Sequence, residues 1–133
     1  MRLDKEPIID DFDSPIMVRI VKSPITRSEL QKIAELSFGD MVKAVVDVDR
    51  GTMAIAGELH SDEESVLLQD GSKQHHLWGI NLYPSLAGEA MIEFDSMINI
   101  RPSQGNRSRG VEDEIVRTKI LQIVQRLILD ERI

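Results

Sequence analysis

The stretch Met41-Val42-Lys43-Ala44-Val45-Val46-Asp47-Val48, followed by Asp49-Arg50-Gly51 and then Thr52-Met53-Ala54-Ile55-Ala56-Gly57-Glu58-Leu59-His60, decides the fold. In its first half Val42, Ala44, Val46 and Val48 share one parity, with Lys43 and Asp47 on the other. In its second half Met53, Ile55 and Leu59 alternate with Thr52, Glu58 and His60. A period of two on both sides of a turn cluster predicts a β-hairpin.

Upstream, Ile16 to Lys22 reads as a short strand ended by Ser23-Pro24. Thr26-Arg27-Ser28-Glu29 has the T-x-x-E form of a capping box. Leu30, Ile33, Ala34 and Phe38 then form an apolar stripe at helical spacing, and Gly39 suits the left-handed stop. Residues 1–15 carry five acids against two bases and fit neither period. They predict an acidic, largely unstructured arm whose Ile8, Ile9 and Phe12 could dock on the body.

Downstream, Ser65 to Gln69 predicts a third strand leading into the turn dipeptide Asp70-Gly71. Gln74 to Tyr83 predicts a fourth, with His76, Trp78, Ile80 and Leu82 on one face. Ala90 to Ile100 predicts a fifth, setting Ile92, Phe94, Ile98 and Ile100 against Glu93, Asp95, Met97, Asn99 and Arg101. From about Glu112 a terminal helix presents Val116, Ile120, Ile123, Val124, Leu127 and Ile128. The sum is an α+β fold in one domain over 16–133: a mainly antiparallel sheet of about five to six strands, with two helices packed on one face.

The chain has 133 residues and a net charge of −7, with 41% apolar residues. That composition suits one globular core. No apolar run approaches the roughly 18 residues a membrane span needs, and no basic segment leads into an apolar one. Zero cysteines exclude a disulfide framework and Cys-ligated zinc. A soluble cytoplasmic protein with no membrane association is expected. The acidic balance and only five aromatics disfavour nucleic acid as a partner.

Motifs for phosphate loops, dinucleotide binding, zincins and serine hydrolases are missing. Two constellations remain. The polar parity of the strands places Asp47, Glu58, His60, Glu93 and Asp95 on an open sheet face, with Asn81, Tyr83 and small residues between them. Such a face is a solvated surface, a subunit contact or a site for an oxygen-preferring divalent ion. The second is the segment Arg101 to Gly110, with three arginines, no acid and a helix beginning after it. Guanidinium forks prefer carboxylate or phosphate, so Arg101, Asn106, Arg107 and Arg109 are candidate contacts for an anion or a partner. The other reading staples the loop internally through Glu112-Asp113-Glu114. Trp78, on the apolar parity, reads as core.

The strings Phe38-Gly39-Asp40-Met41-Val42-Lys43-Ala44-Val45-Val46-Asp47, Gly57-Glu58-Leu59-His60, Leu77-Trp78-Gly79 and Ile98-Asn99-Ile100-Arg101-Pro102 through Asn106-Arg107-Ser108 resemble a family of small prokaryotic proteins catalogued as a domain of unknown function. The resemblance runs from about Ile20 to Leu129. It implies a prokaryotic, cytoplasmic origin and assigns no catalytic residue.

The expected function is a non-enzymatic binding or interaction module, a homodimer or partner of another protein. It would use the arginine loop and the open sheet face, with no cofactor. The alternative is a metal-assisted hydrolase or nuclease, its divalent ion held by Asp47, Glu58, His60, Glu93 and Asp95. An RNA-cleaving toxin component is a third reading, opposed by the acidic charge.

Overall fold

The computed structural model describes residues 17–131, so the acidic arm lies outside the described residues. In chain order the elements are β1 (Arg19–Val21), β2 (Ile25–Thr26), α1 (Arg27–Leu36), β3 (Val42–Asp47), β4 (Thr52–Ile55), α2 (His60–Gln69), β5 (Leu77–Leu82), β6 (Ile92–Glu93), α3 (Glu114–Leu127) and β7 (Ile128–Leu129). Five strands form an antiparallel sheet in the order β1-β4-β3-β5-β6, and β2 pairs with β7 in a small parallel sheet.

The β3–β4 hairpin forms as its alternation requires, with Asp47 opposite Thr52 and Val46 opposite Met53. Thr26 caps α1 by accepting from the Glu29 N–H at 3.1 Å. Only this half of the capping box forms, because the Glu29 carboxylate pairs with Arg19. Gly39, at φ +95°, returns its N–H to Ala34 O and stops the helix. Asp113 caps α3 through the Ile115 N–H at 2.8 Å.

The first face of the sheet (Ala44, Val46, Met53, Ile55, Ile80, Leu82) packs on Leu30 and Ala34 of α1 and on Ile120, Val124 and Leu127 of α3. The second face holds Val45, Ala54 and Leu77 beneath Leu67 of α2, with Val18, Ile20 and Ile98 against them. The sheet is therefore covered on both sides.

That cover corrects the expected open face and the expectation of two helices; among the described residues there are three. Ser65 to Gln69 is not a strand but the end of α2. The buried residues of α2 are His60, Glu63 and Leu67, a helical i, i+3, i+7 set in which two members are polar, so no apolar stripe announces it. β4 stops at Ile55 because Ala56 takes the left-handed φ of +74°, ending the extended run before Glu58 and His60. Ala90 to Ile100 supplies only the two residues of β6, then a 3-10 turn at Met97–Asn99. Phe38 is 42% exposed and lies under the Lys43 ammonium, 5.5 Å from ring centre to nitrogen, rather than in the core.

Candidate functional site

Beyond β6 the free edge of β5 meets side chains instead of a strand. The Gly79 N–H donates to Asn99 Oδ1 at 2.8 Å, and Asn99 Nδ2 donates to Gly79 O at 2.9 Å. Arg101 continues the edge: its guanidinium donates to the carbonyls of Leu77 and, at 2.6 Å, of Gln74, and it stacks 4.2 Å over the Trp78 ring. Buried backbone groups need partners, and here two side chains supply them where a strand would have done so. The alternation from Met97 to Arg101 is real in the sequence, but the side chains of Asn99 and Arg101 satisfy backbone groups.

Asn106 closes the loop that follows. It is 3% exposed, donates to the carbonyls of Asn99, Ser108 and Gly110 at 2.7 to 3.1 Å, and accepts from the Glu112 N–H at 2.8 Å. The Ser108 hydroxyl, together with the Arg107 and Ser108 N–H groups from which the Glu112 carboxylate accepts, holds that carboxyl below the usual glutamate range. Of the four proposed contact residues, Arg101 and Asn106 are thus engaged in holding the loop, Arg107 is exposed, and Arg109 pairs with Asp95 at 2.6 Å.

A cleft of about 290 Å³ lies on the second face, between the start of α2 and the segment after β6. Leu59, His60 and Ser61 form one side; Lys43 and Asn81 reach it from β3 and β5; Asp95 to Ile98 and Arg109 complete it. Its position follows from Gly79. A Cβ there would meet Ser96 Cβ at 2.5 Å and His60 Cδ2 at 3.2 Å, so only glycine lets the ring and the serine meet over β5.

His60 is 8% exposed, with Nε2 2.8 Å from Ile80 O. A carbonyl only accepts, so Nε2 carries the proton and Nδ1 of the neutral ring is left as an acceptor. Burial, opposed by the Ile80 contact, holds the imidazole below the ordinary histidine range. Asn81 is 7% exposed, and its Nδ2 donates to Glu93 Oε1 at 2.9 Å and to Asp95 O at 3.4 Å. Its Oδ1 is sealed from solvent without a partner. Lys43 makes no ion pair among the described residues, whereas Arg109 is neutralised by Asp95. Leu59 caps α2 without a side-chain bond, so the first N–H groups of the helix add positive character there. Behind this wall Glu63 is fully buried, accepts from the Gly57 N–H at 2.9 Å and leaves Oε1 unpaired. Burial pushes its carboxyl well above the usual range.

The five expected metal ligands do not assemble. Asp47 accepts from the Asp49 and Arg50 N–H groups and from Ser72 Oγ, a turn staple. Glu58 is exposed, and Glu93 accepts from Asn81 and from the Tyr83 hydroxyl. Only His60 and Asp95 share the cleft. Among the described residues no three His, Cys, Asp or Glu side chains are grouped to hold a metal ion. Among them, too, no helix is long and apolar enough to cross a membrane.

Sequence reasoning named His60, Asn81, Asp95 and Arg109, but as members of two unrelated sets. It passed over Lys43 and Ser96 as site residues; the signal for Lys43 was a cation on the polar parity of a strand whose other residues, Asp47 apart, are apolar.

A family model described as a protein of unknown function (DUF5674) matches residues 19–127. The chain belongs to this family. No curated protein and no solved structure matches it. In this DUF5674 chain the matched span includes both helical layers and the whole cleft. The four strings that carried the resemblance, distant in sequence, meet around β5: Lys43, His60, Gly79, Asn99 and Arg101 come from them.

Proposed function

We propose that the protein is a non-enzymatic binding module that holds a small organic anion in the cleft between α2 and residues 95–98. The observation that carries this reading is a cation without a carboxylate ion pair among the described residues, set in a concavity with hydrogen-bonding groups around it. Among the described residues Lys43 has no carboxylate ion pair, and Asn81 stands opposite it in the strand register. The cleft volume is near the lower bound for small-molecule sites, roughly 300 Å³. Leu59 and Met97, 55% and 64% exposed, flank it and suit a carbon skeleton better than a bare inorganic ion.

A thermal-melt panel of anionic metabolites tests the reading. A ligand at ~100 times its dissociation constant adds about 2.7 kcal/mol, several degrees for a domain of this size. At least one carboxylate or phosphate ester should raise the melt of the wild type and lose most of that effect in Lys43→Ala. A panel without effect, or an equal effect on Lys43→Ala, contradicts the proposal.

A further inference from the structure

Resting on that reading, we infer that the cleft has an occupant within its own chain: the acidic segment Asp10-Asp11-Phe12-Asp13 docks there, its phenyl ring on Leu59 and Met97 and its carboxylates on Lys43. Strand register puts the start of β1 at the cleft end of the sheet. Arg19 pairs with Ile55, Ile55 with Ala44 and Ala44 with Ile80, so one row crosses four strands. β1 and β3 both run antiparallel to β4, so one step toward the start of each brings Val18 level with Lys43. Both take the second face: Val18 packs with Val45, and Lys43 shares the parity of Val45. A Cβ on Gly57 would meet the Val18 side chain at 3.2 Å, so the chain enters β1 beside the turn that leads into Leu59 and α2. Lys43 is two strand spacings from β1, about 10 Å, and β5 is three, about 14 Å. Phe12 precedes Met17, the first described residue, by five positions, which reach about 17 Å when extended.

The chemistry of the two surfaces matches. The arm mixes Asp10, Asp11 and Asp13 with Ile8, Ile9 and Phe12. The cleft offers the half-buried Lys43 and the first N–H groups of α2 for the charges, and the exposed Leu59 and Met97 for the ring. Glu58 and Asp62, at the same end, are exposed, where solvent and salt screen their repulsion. A segment on so short a tether stands at roughly millimolar effective concentration, so weak contacts suffice to hold it. The arm thereby competes with a free anion for Lys43.

NMR of the full chain without added ligand tests the inference. The Phe12 ring protons should show nuclear Overhauser contacts to the Leu59 and Met97 methyl groups. These should lose about half or more of their intensity in Lys43→Ala, the loss expected of one half-buried ion pair. Their absence, or equal intensity in Lys43→Ala, overturns the inference. In a mixture of isotope-labelled and unlabelled chains, contacts running between the two overturn it in favour of the arm of a second copy. The panel of anionic metabolites, run on the Phe12→Ser chain, judges the anion reading separately. A positive panel without the Phe12 contacts leaves that reading standing and removes the arm. A silent panel with the contacts present supports the arm and removes the free anion.

Discussion

The side chain of Asn99 meets Gly79 as a strand residue would, accepting from its N–H at 2.8 Å and donating to its carbonyl at 2.9 Å. The same amide donates to Arg109 O at 2.9 Å, so one residue ties the free edge of β5 to the loop carrying the cleft's arginine. Asn99 is fully buried. Asn99→Ala should therefore cost about 2–4 kcal/mol in chemical denaturation, from three buried backbone groups left unpaired. Asn99→Asp should be nearly as costly, since a carboxylate cannot donate to either carbonyl.

Gly79→Ala should destabilise by about 1–3 kcal/mol, because the added methyl has Ser96 and His60 in its way. Displacement of His60 from Ile80 should appear as a shift of its imidazole resonances, read by NMR in the same variant.

The arginines of the loop should separate cleanly. Arg101→Ala removes two carbonyl contacts and the stacking on Trp78, and should cost about 2–3 kcal/mol in denaturant unfolding. Arg107→Ala, an exposed side chain making no hydrogen bond among the described residues, should stay within about 0.5 kcal/mol of wild type.

Glu63 and His60 give opposite pH dependences. Glu63 is raised by burial, so the native state binds more protons than the unfolded chain above the ordinary value of 4.5. Its contribution is full below that value and is lost as pH rises toward the native pKa. Glu63→Gln keeps an oxygen for the Gly57 N–H and cannot ionise. Relative to wild type it should gain stability above pH 4.5, at up to about 1.4 kcal/mol per pH unit, until the native carboxyl ionises. His60 is lowered, so the unfolded chain binds the extra proton and stability falls on acidification below its ordinary 6.5. Urea midpoints of the two proteins between pH 5 and 8 check both signs.

Much of the fold was legible in the residues. Period two with Asp49-Arg50-Gly51 between the runs specified the hairpin, the capping box at Thr26 marked α1, and the apolar stripe from Val116 to Leu127 marked α3. α2 was hidden because its inward residues, His60 and Glu63, are types expected outside, and Leu67 alone gives no period. The same omission made the second sheet face look open. The segment 94–101 misled for another reason: alternation reports which side a residue faces, not whether a ladder forms, and here Asn99 and Arg101 take the place of the ladder. Arg101 and Asn106 stood out by composition as recognition residues. Their chemistry is indeed the binding of carbonyl oxygens, but those of their own chain.

The central claim is that the cleft, rather than the exposed arginine loop, receives the ligand. Two-dimensional NMR mapping with the best-binding anion of the melt panel tests it most directly. The expected result is saturable perturbation of the His60 ring, the Asn81 side-chain amide and the Ser61 backbone, with the Arg107 signals unmoved. Perturbation centred on Arg107 and Ser108, with His60 and Asn81 silent, would contradict it.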